Sequence, residues 1–232
     1  YFLLVYKLGF FVILSLNLSI SHIKITNVYK LYKKIKIRKI IIYNKKMNLF
    51  INTISKTSSI ILFNEKREII DQIDFEIKWN ESSLLIPNID SFLKKNSLTY
   101  FDIKNIVLVN WPGSFTWVRT VVLVINSINY ITNNNLTPIS FFELFPNYPI
   151  IKSSSKRDCF FKKNKDSQIE IIPNDDISKY LTDNNIKTIY WESDIENVEI
   201  IEKIDYLNII KQVKLKEIKK IEPLYLKKPN IC

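Results

Sequence analysis

Glycine is almost missing from this sequence. Only Gly9 and Gly113 occur in 232 residues, so a single glycine follows Met47. Average usage predicts about a dozen glycines in a segment of that length. Because glycine adopts positive φ more readily than any other residue, turns normally need it. The scarcity therefore indicates nucleotide bias in the coding sequence rather than a structural choice.

Cysteine and histidine are also scarce. The two cysteines, Cys159 and Cys232, cannot build a disulfide framework, and their spacing matches no metal site. We expect free thiols in a reducing cytoplasm. The single histidine, His22, precedes Met47, so the body has no imidazole for a Ser-His-Asp or Cys-His arrangement or for a histidine-based metal site. This argues against hydrolytic chemistry by the chain alone, and we expect neither a catalytic residue nor a metal.

Acidic residues are absent before Met47. Residues 1–46 hold ten Lys and Arg and no Asp or Glu, so they account for nearly all of the net charge of +11. Residues 47–232 hold 24 basic and 23 acidic residues, a net charge of +1. A basic pI usually indicates a nucleic-acid-binding face, but that inference fails for the body of this chain.

Residues 1–46 allow three interpretations. Leu8–Leu16 is an apolar run after Lys7, as in a signal peptide, but no small-residue cleavage site follows it. A membrane anchor needs about 20 apolar residues, and this run is shorter and interrupted. Because the length and composition of residues 1–46 fit no membrane class, we favour untranslated sequence upstream of Met47, the only methionine, or a disordered basic leader, and then no membrane contact. A peptide from residues 1–46 in N-terminal mass spectrometry would contradict an untranslated leader.

The body begins with a pattern of three strands. Apolar periodicity predicts strands over residues 47–54, 57–63 and 68–77, joined by short links as an antiparallel meander. Ser82 or Ser83 is positioned to cap a following helix. The apolar run 105–109 then predicts a strand that is covered on both faces.

A long helix should follow a loop at residues 110–115. We expect Thr116 to cap it and the asparagines 133–135 to end it, and its nearly uniform apolar surface predicts burial on all sides. A strand over residues 136–140 completes the order β-β-β-α-β-α-β. That is the order of a ribonuclease-H-like lobe, the half-unit of actin and Hsp70-type ATPases. The pattern alone supports a mixed α/β lobe, and we expect the ribonuclease-H-like lobe over residues 47–145.

Residues 146–232 predict a second, smaller α/β lobe. The pattern favours short strands within 148–154, 167–173, 187–191 and 198–203, and helices near 174–182 and 205–213. Charge is mixed throughout, and no clear linker separates the two lobes.

Four segments, in the same order, resemble one family. Residues 47–63 resemble its opening strands, with Asn52 where the family has aspartate, and residues 81–95 resemble its helix with an L-x-P pattern. Residues 111–119, WPGSFTWVR, resemble the signature G-P-G-S-F-T-G-hydrophobic-R, and residues 222–227, EPLYLK, resemble the ending E-P-x-Y-L-R. The chain is similar in these segments to the TsaB (YeaZ) family.

The resemblance implies a function. It implies a non-catalytic scaffold or dimerisation subunit, located in the cytoplasm, of the complex that forms threonylcarbamoyladenosine on tRNA. The implied partners are a TsaD-like catalytic subunit and a TsaE-like ATPase, or a second copy of the chain, and tRNA would be reached through the complex. ATP would be used by the complex, with no cofactor bound by this chain. In the family the first-lobe helices form the partner interface, which implies Leu84, Leu85, Asn88 and Val122 as candidates, although lobe core is the other interpretation of these positions.

The signature loop has its own two interpretations. The family motif corresponds to Pro112, Gly113, Ser114, Phe115, Thr116 and Arg119. A strand that feeds a helix N-terminus presents free N–H groups, which suit a phosphate or a partner. The other interpretation is a capped turn, with Phe115 in the core and Arg119 in solvent. We favour the turn, because Asn52 lacks the carboxylate that would organise Mg²⁺. The competing function, an independent actin-like-fold small-molecule kinase or ATPase, requires the phosphate site.

Tryptophan occurs where the family has glycine. Trp111 and Trp117 replace signature glycines, and Trp191 stands where the family often has G-D-G. One explanation is a UGA codon that the cell reads as glycine. The other is a true Gly→Trp change in an AT-biased genome. Val121, Leu123 and Ser127 support this explanation, because the family helix often has glycine at these positions too. Peptide mass at residues 111 and 117 distinguishes the two.

Overall fold

All described residues lie in the second of two units of the chain, which are separated by their internal contacts. Contacts divide the chain into Tyr1–Lys45 and Lys46–Cys232. The computed structural model describes residues 46–55, 57–76, 81–113, 115–154, 157–190, 199–201 and 203–225. The prediction for the leader, apart from Lys46, lies outside the described residues, as do Ser114 and Trp191. No helix among the described residues is both long enough and apolar enough to cross a bilayer.

A five-stranded mixed sheet forms the centre of this unit. Its strands are β1 (Met47–Asn52), β2 (Ser58–Phe63), β3 (Ile69–Phe75), β4 (Ile103–Trp111) and β5 (Asn135–Ser140), in the spatial order β3-β2-β1-β4-β5. The pairs β1–β2 and β2–β3 are antiparallel, whereas β1–β4 and β4–β5 are parallel. The predicted meander and the ribonuclease-H-like order are confirmed.

Burial along the strands follows their place in the sheet. Every residue of the inner strands β1 and β2 is buried, whereas the edge strand β3 alternates and stays half-exposed. Two asparagines sit inside the sheet as a pair, because the side-chain amide of Asn105 donates to Asn48 Oδ1 at 2.6 Å. A buried polar group has to be paired in this way, and the pair ties β4 to β1.

Two helices accompany this sheet in the first half of the unit. Helix α1 (Glu81–Lys95) and helix α2 (Phe115–Thr132) contact each other, and α2 packs on β4. The predicted caps are wrong by a residue or more. Ser82 and Ser83 lie inside α1, because the helix already begins at Glu81, and Thr116 is the second residue of α2.

Helix α2 is buried on one side only, which corrects the expectation of burial all round. Val118 and Ile125 are each 1% exposed, but Leu123 is 64% exposed and Tyr130 is 92% exposed. The sequence did not predict this asymmetry, because α2 carries apolar residues on its exposed side as well as on its buried side. The exposed side therefore needs an explanation other than the core of this unit.

The C-terminal ends of the helices use left-handed residues other than glycine. Ser97 follows α1 with a φ of 57°, and its N–H and that of Leu98 donate to Lys94 O and Leu93 O. This pair of hydrogen bonds is a Schellman motif. Asn133 ends α2 with a φ of 55°, which confirms the predicted end of that helix.

The second half of the unit contains two small sheets. Strands β6 (Ile150–Ser153), β7 (Asp158–Lys162) and β8 (Glu170–Pro173) form an antiparallel sheet, and β9 (Thr188–Ile189) pairs with β10 (Glu199–Ile200). The helices are α3 (Ile177–Asp183) and α4 (Tyr206–Gln212). Strand β7 was missed, because its five residues, DCFFK, stand between polar stretches. Seven buried residues of this half form a separate core cluster.

The chain then returns to the first sheet as an extended segment, residues 213–225, which we call the C-terminal strap. Asn126 of α2 donates to Ile221 O at 2.8 Å and accepts from Ile221 N at 2.9 Å. Thr137 Oγ1 of β5 accepts from Lys216 N at 2.8 Å. Side chains of the first half thus hold the strap by its backbone, and Ile221 of the strap is itself buried in the core.

Candidate functional site

The site begins where strand β1 ends. Asn52 is fully buried, and its amide nitrogen donates to Ser55 Oγ at 2.7 Å and to Tyr206 Oη at 2.9 Å. Its oxygen accepts from Ile54 N at 3.3 Å. The Asn52 side chain therefore ties the end of β1 to helix α4.

The loop itself leaves β4 through Asn110 and Trp111. Asn110 is 2% exposed, and its amide nitrogen donates to Glu222 O of the strap at 3.4 Å. Trp111 packs edge to face on Phe142, with ring centroids 6.2 Å apart. Pro112, which follows in a cis peptide bond, is buried. The loop is thus packed against both the strap and the turn after β5.

A side chain at position 113 would crowd the neighbouring side chains. A Cβ at this position would lie 2.9 Å from Val118 Cγ2 and 3.2 Å from Ile54 Cγ2. Its φ is not positive, so backbone conformation is not the reason for glycine here. The close approach joins the loop to the residues that follow β1.

Trp117 fills the space between the loop and the end of β1. Its side chain is 6% exposed, and its indole N–H donates to Thr53 O at 2.7 Å. A tryptophan at this glycine position is therefore accommodated as a core residue rather than pushed into solvent.

The remaining motif residues are either exposed or outside the described residues. Thr116 and Arg119 are exposed, and no hydrogen bond or ion pair joins the Arg119 guanidinium to another described residue. Ser114 is not among the described residues, nor is the side chain of Phe115, so the expectation that Phe115 occupies the core stays a prediction. Three of the four segments that carry the resemblance meet here: the end of β1, the loop and the strap.

Two buried oxygens at this edge have no hydrogen-bond partner among the described residues. They are Thr53 Oγ1 and Asn110 Oδ1, at the ends of the neighbouring strands β1 and β4. Sequence reasoning missed both residues, although a polar residue directly after an apolar strand is the signal that would have found them. No group of three or more His, Cys, Asp and Glu side chains within the described part of the chain could hold a metal ion.

The helix pair α1–α2 is the second candidate site. Of the four residues implied as interface, Leu85 is fully buried and Val122 is 3% exposed, so these two are core positions and do not reach the surface. Both lie on the sides of their helices that face the sheet. Leu84 is 38% exposed and Asn88 is half-buried, so these two remain at the surface.

Other large apolar side chains of the same helices are exposed. Ile86 on α1 is 45% exposed, and Leu123, Tyr130 and Ile131 on α2 are 64%, 92% and 70% exposed. Phe101 is 72% exposed, in the short 3-10 turn Tyr100–Asp102 that packs against α2. We call Leu84, Ile86, Phe101, Leu123, Tyr130 and Ile131 the outer helix face. Sequence reasoning missed five of the six, because helical periodicity does not distinguish the inner side from the outer.

Two groups near this face have shifted pKa values. Burial, together with the neighbouring Asp90 carboxylate, raises the pKa of the Tyr100 phenol. Hydrogen bonds from the Lys95 ammonium and the Asn96 amide lower the pKa of the Asp71 carboxyl on β3. The phenol therefore stays neutral and the carboxylate stays charged, and the latter fixes the end of α1 to the sheet edge.

Known proteins resemble the chain at two levels. No model of a protein family matches it. Uncharacterized protein MG208 of Mycoplasma genitalium is 26% identical over 195 residues, which is 79% of this chain and 96% of that protein. The MG208 homolog of Mycoplasma pneumoniae is 26% identical over 192 residues, with the same two shares of 79% and 96%. The chain is thus a distant homologue of proteins that are themselves uncharacterized.

Solved structures show the fold. A Pseudomonas aeruginosa structure, described as an uncharacterized protein with similarity to peptidase YeaZ, matches with a TM-score of 0.56 and 11% identity, over 78% of this chain and 100% of that one. YeaZ from Pseudomonas aeruginosa matches with a TM-score of 0.46 and 14% identity, over 55% of this chain and 67% of that one. The first match shows a YeaZ-like mixed α/β fold, with a five-stranded mixed sheet and smaller sheets.

Proposed function

We propose that this chain is a TsaB-like scaffold subunit of the complex that forms threonylcarbamoyladenosine on tRNA. In this role it binds a TsaD-like synthase through the outer helix face and transfers no group itself. A TsaE-like ATPase and tRNA join through the complex, and ATP is used there. The scaffold acts in the cytoplasm, and residues 47–145 and 146–232 form its two lobes.

One observation carries the proposal: the outer helix face is apolar and uncovered within the described unit. Its members lie on two helices that contact each other and on a turn that contacts α2. A single exposed leucine needs no explanation, but several large apolar side chains on one side of a helix pair mark a protein-binding surface. Aromatic side chains such as Phe101 and Tyr130 are enriched in such interfaces.

The signature loop supports a scaffold rather than a phosphotransferase. Asn52, at the family's aspartate position, already makes three hydrogen bonds inside the protein. Trp117 fills the space between the loop and β1 and hydrogen-bonds to the backbone there. Residues that pack and bond internally hold the loop in shape, and this is what a structural role requires.

Co-purification with the cognate TsaD-like synthase tests the proposal. We expect a complex that Leu123→Asp weakens by about 2 kcal/mol or more, the loss typical of a central apolar contact. Ile171→Asp is the matched control, since Ile171 on β8 is 46% exposed and lies in the other half of the unit. Equal loss in both variants, or no complex with the unchanged protein, would refute the proposal.

Two other outcomes point elsewhere. A homodimer that Leu123→Asp dissociates, without synthase binding, would assign the outer helix face to a second copy of the chain. ATP turnover by the purified protein, abolished by Thr116→Val, would indicate the independent actin-like-fold kinase or ATPase instead.

A further inference from the structure

A cavity of about 530 Å³ lies away from the outer helix face. One wall is the turn that follows β5, residues 141–148, and the opposite wall is helix α4 with the first residues of the strap. Pockets that hold metabolites and cofactors commonly measure about 300–1,000 Å³. The cavity therefore has room for a ligand the size of a mononucleotide.

The walls of the cavity are largely apolar. Phe142 and Tyr148 line it from the turn, and Ile209 and Val213 line it from α4 and the strap. The strap is held in place, because the guanidinium of Arg67 donates to the carbonyl oxygens of Ile210 and Val213, each at 3.1 Å. The cavity is thus built on fixed backbone and offers apolar contact area.

The two carboxylates that line the cavity already accept backbone hydrogen bonds. Glu143 Oε1 accepts from Ser140 N at 2.7 Å, and Asp205 Oδ1 accepts from Asn208 N at 3.1 Å. Both are caps of local turns, a common use of acidic side chains. One oxygen of each carboxylate is therefore engaged within the protein.

The donors that line the cavity are different. No described residue hydrogen-bonds to or pairs with the ammonium groups of Lys165, Lys214 and Lys216, all of which line the cavity. Tyr148 offers a phenol whose pKa is raised, by burial and by the charges of Glu143 and Asp166, so its hydroxyl stays protonated and able to donate. The three ammonium groups outnumber the two carboxylates of the lining, so the charged side chains of the cavity carry a net charge of +1.

We propose that this cavity binds a phosphomonoester with a flat organic body, in the size class of a nucleoside monophosphate. The three lysines hold the phosphate, because ammonium groups pair with phosphate oxygens by charge-assisted hydrogen bonds. The apolar walls take the body, and the amides of Asn208 and Gln212 lie beside it. This site is independent of the outer helix face and of the scaffold function.

Calorimetric titration of the full chain with AMP tests the proposal, with adenosine and inorganic phosphate as partial probes. We expect AMP to bind, and each partial probe to bind about tenfold or more weakly, since each lacks one half of the recognition. Adenosine or phosphate alone binding as tightly as AMP would overturn the proposal, as would the absence of AMP binding at millimolar concentration.

Variants locate the binding. Lys214→Gln and Lys216→Gln should each weaken AMP binding about three- to tenfold, as expected for loss of one charge-assisted contact. Lys179→Gln is the matched control, because Lys179 is an exposed lysine on α3 that does not line the cavity. Gln212→Trp, at an exposed lining position, should block AMP by filling the cavity without disturbing the core. AMP binding that Gln212→Trp leaves unchanged, or that Lys179→Gln weakens as much as the other two, would overturn the proposal.

Discussion

Replacing Trp117 by glycine tests whether the junction of α2 and β1 is built around this tryptophan. The indole is 6% exposed and donates its N–H to Thr53 O at 2.7 Å. The change would remove the largest side chain at the junction of α2 and β1 and would place a glycine inside a helix.

The expected loss combines three effects. Truncation of a buried aromatic side chain to alanine costs about 3–5 kcal/mol. A glycine within a helix costs about 1 kcal/mol more than alanine. The carbonyl of Thr53 also loses a donor, worth about 1 kcal/mol. These effects are not additive, so we expect a net destabilisation of about 5 kcal/mol, which is large against the 5–15 kcal/mol typical of a whole domain.

Urea unfolding, followed by far-ultraviolet circular dichroism, measures this loss. Trp117→Phe keeps most of the volume but removes the N–H donor and part of the ring system, so it should lose about 1–2 kcal/mol. Ser127→Gly, at an exposed position of the same helix, isolates the glycine effect and should lose no more than about 1 kcal/mol. If Trp117→Gly is as stable as the unchanged protein, the reasoning is refuted, and glycine is the residue that this loop accommodates best.

Three smaller perturbations test other contacts. Gly113→Ala would bring Cβ to 2.9 Å from Val118 Cγ2, so urea unfolding should show a loss of about 1–3 kcal/mol, and the double variant with Val118→Ala should lose less than the sum of the two single variants. Lys95→Gln should lower the free energy of unfolding by about 0.2–1 kcal/mol at neutral pH. Because the pKa of Asp71 is lowered in the folded state, this loss should vanish as pH falls from about 4 through that folded pKa. A loss that persists in acid would contradict the pairing. Ser97→Gly should relieve a φ of 57° and raise Tm by about 2–4 °C in calorimetry, as a gain of about 1 kcal/mol predicts.

Apolar patterning made the first sheet predictable. The runs in β1 and β2 are long and bounded by turns, so their strand character and order follow from periodicity. Asn133 could be predicted as a helix end because asparagine tolerates left-handed backbone. Strand β7 could not be predicted, because five residues give too short a pattern, and its partners are set by tertiary packing.

The candidate sites were less accessible to sequence reasoning. Family resemblance located the loop, but it could not show that Trp117 turns inward to bond with Thr53, since that contact joins residues 64 positions apart. Leu85 and Val122 were indistinguishable from Leu84 and Leu123 by residue type, and only their orientation toward or away from the sheet separates core from surface. The lysines around the cavity come from distant segments, so no local pattern announces them.

The scarcity of glycine affects the two roles of glycine differently. Ser97, Asn133, Asn185 and Arg67 have positive φ, between 52° and 66°, so other residues take over the left-handed conformation at a cost of about 1–2 kcal/mol each, less for asparagine. Gly113 has no positive φ, and it is needed because a Cβ there would collide with Val118. A left-handed residue strains only its own backbone, whereas a Cβ at position 113 forces the side chains of Val118 and Ile54 to move. This difference explains why the single glycine of the described residues stands in the loop, while the helix ends do without one.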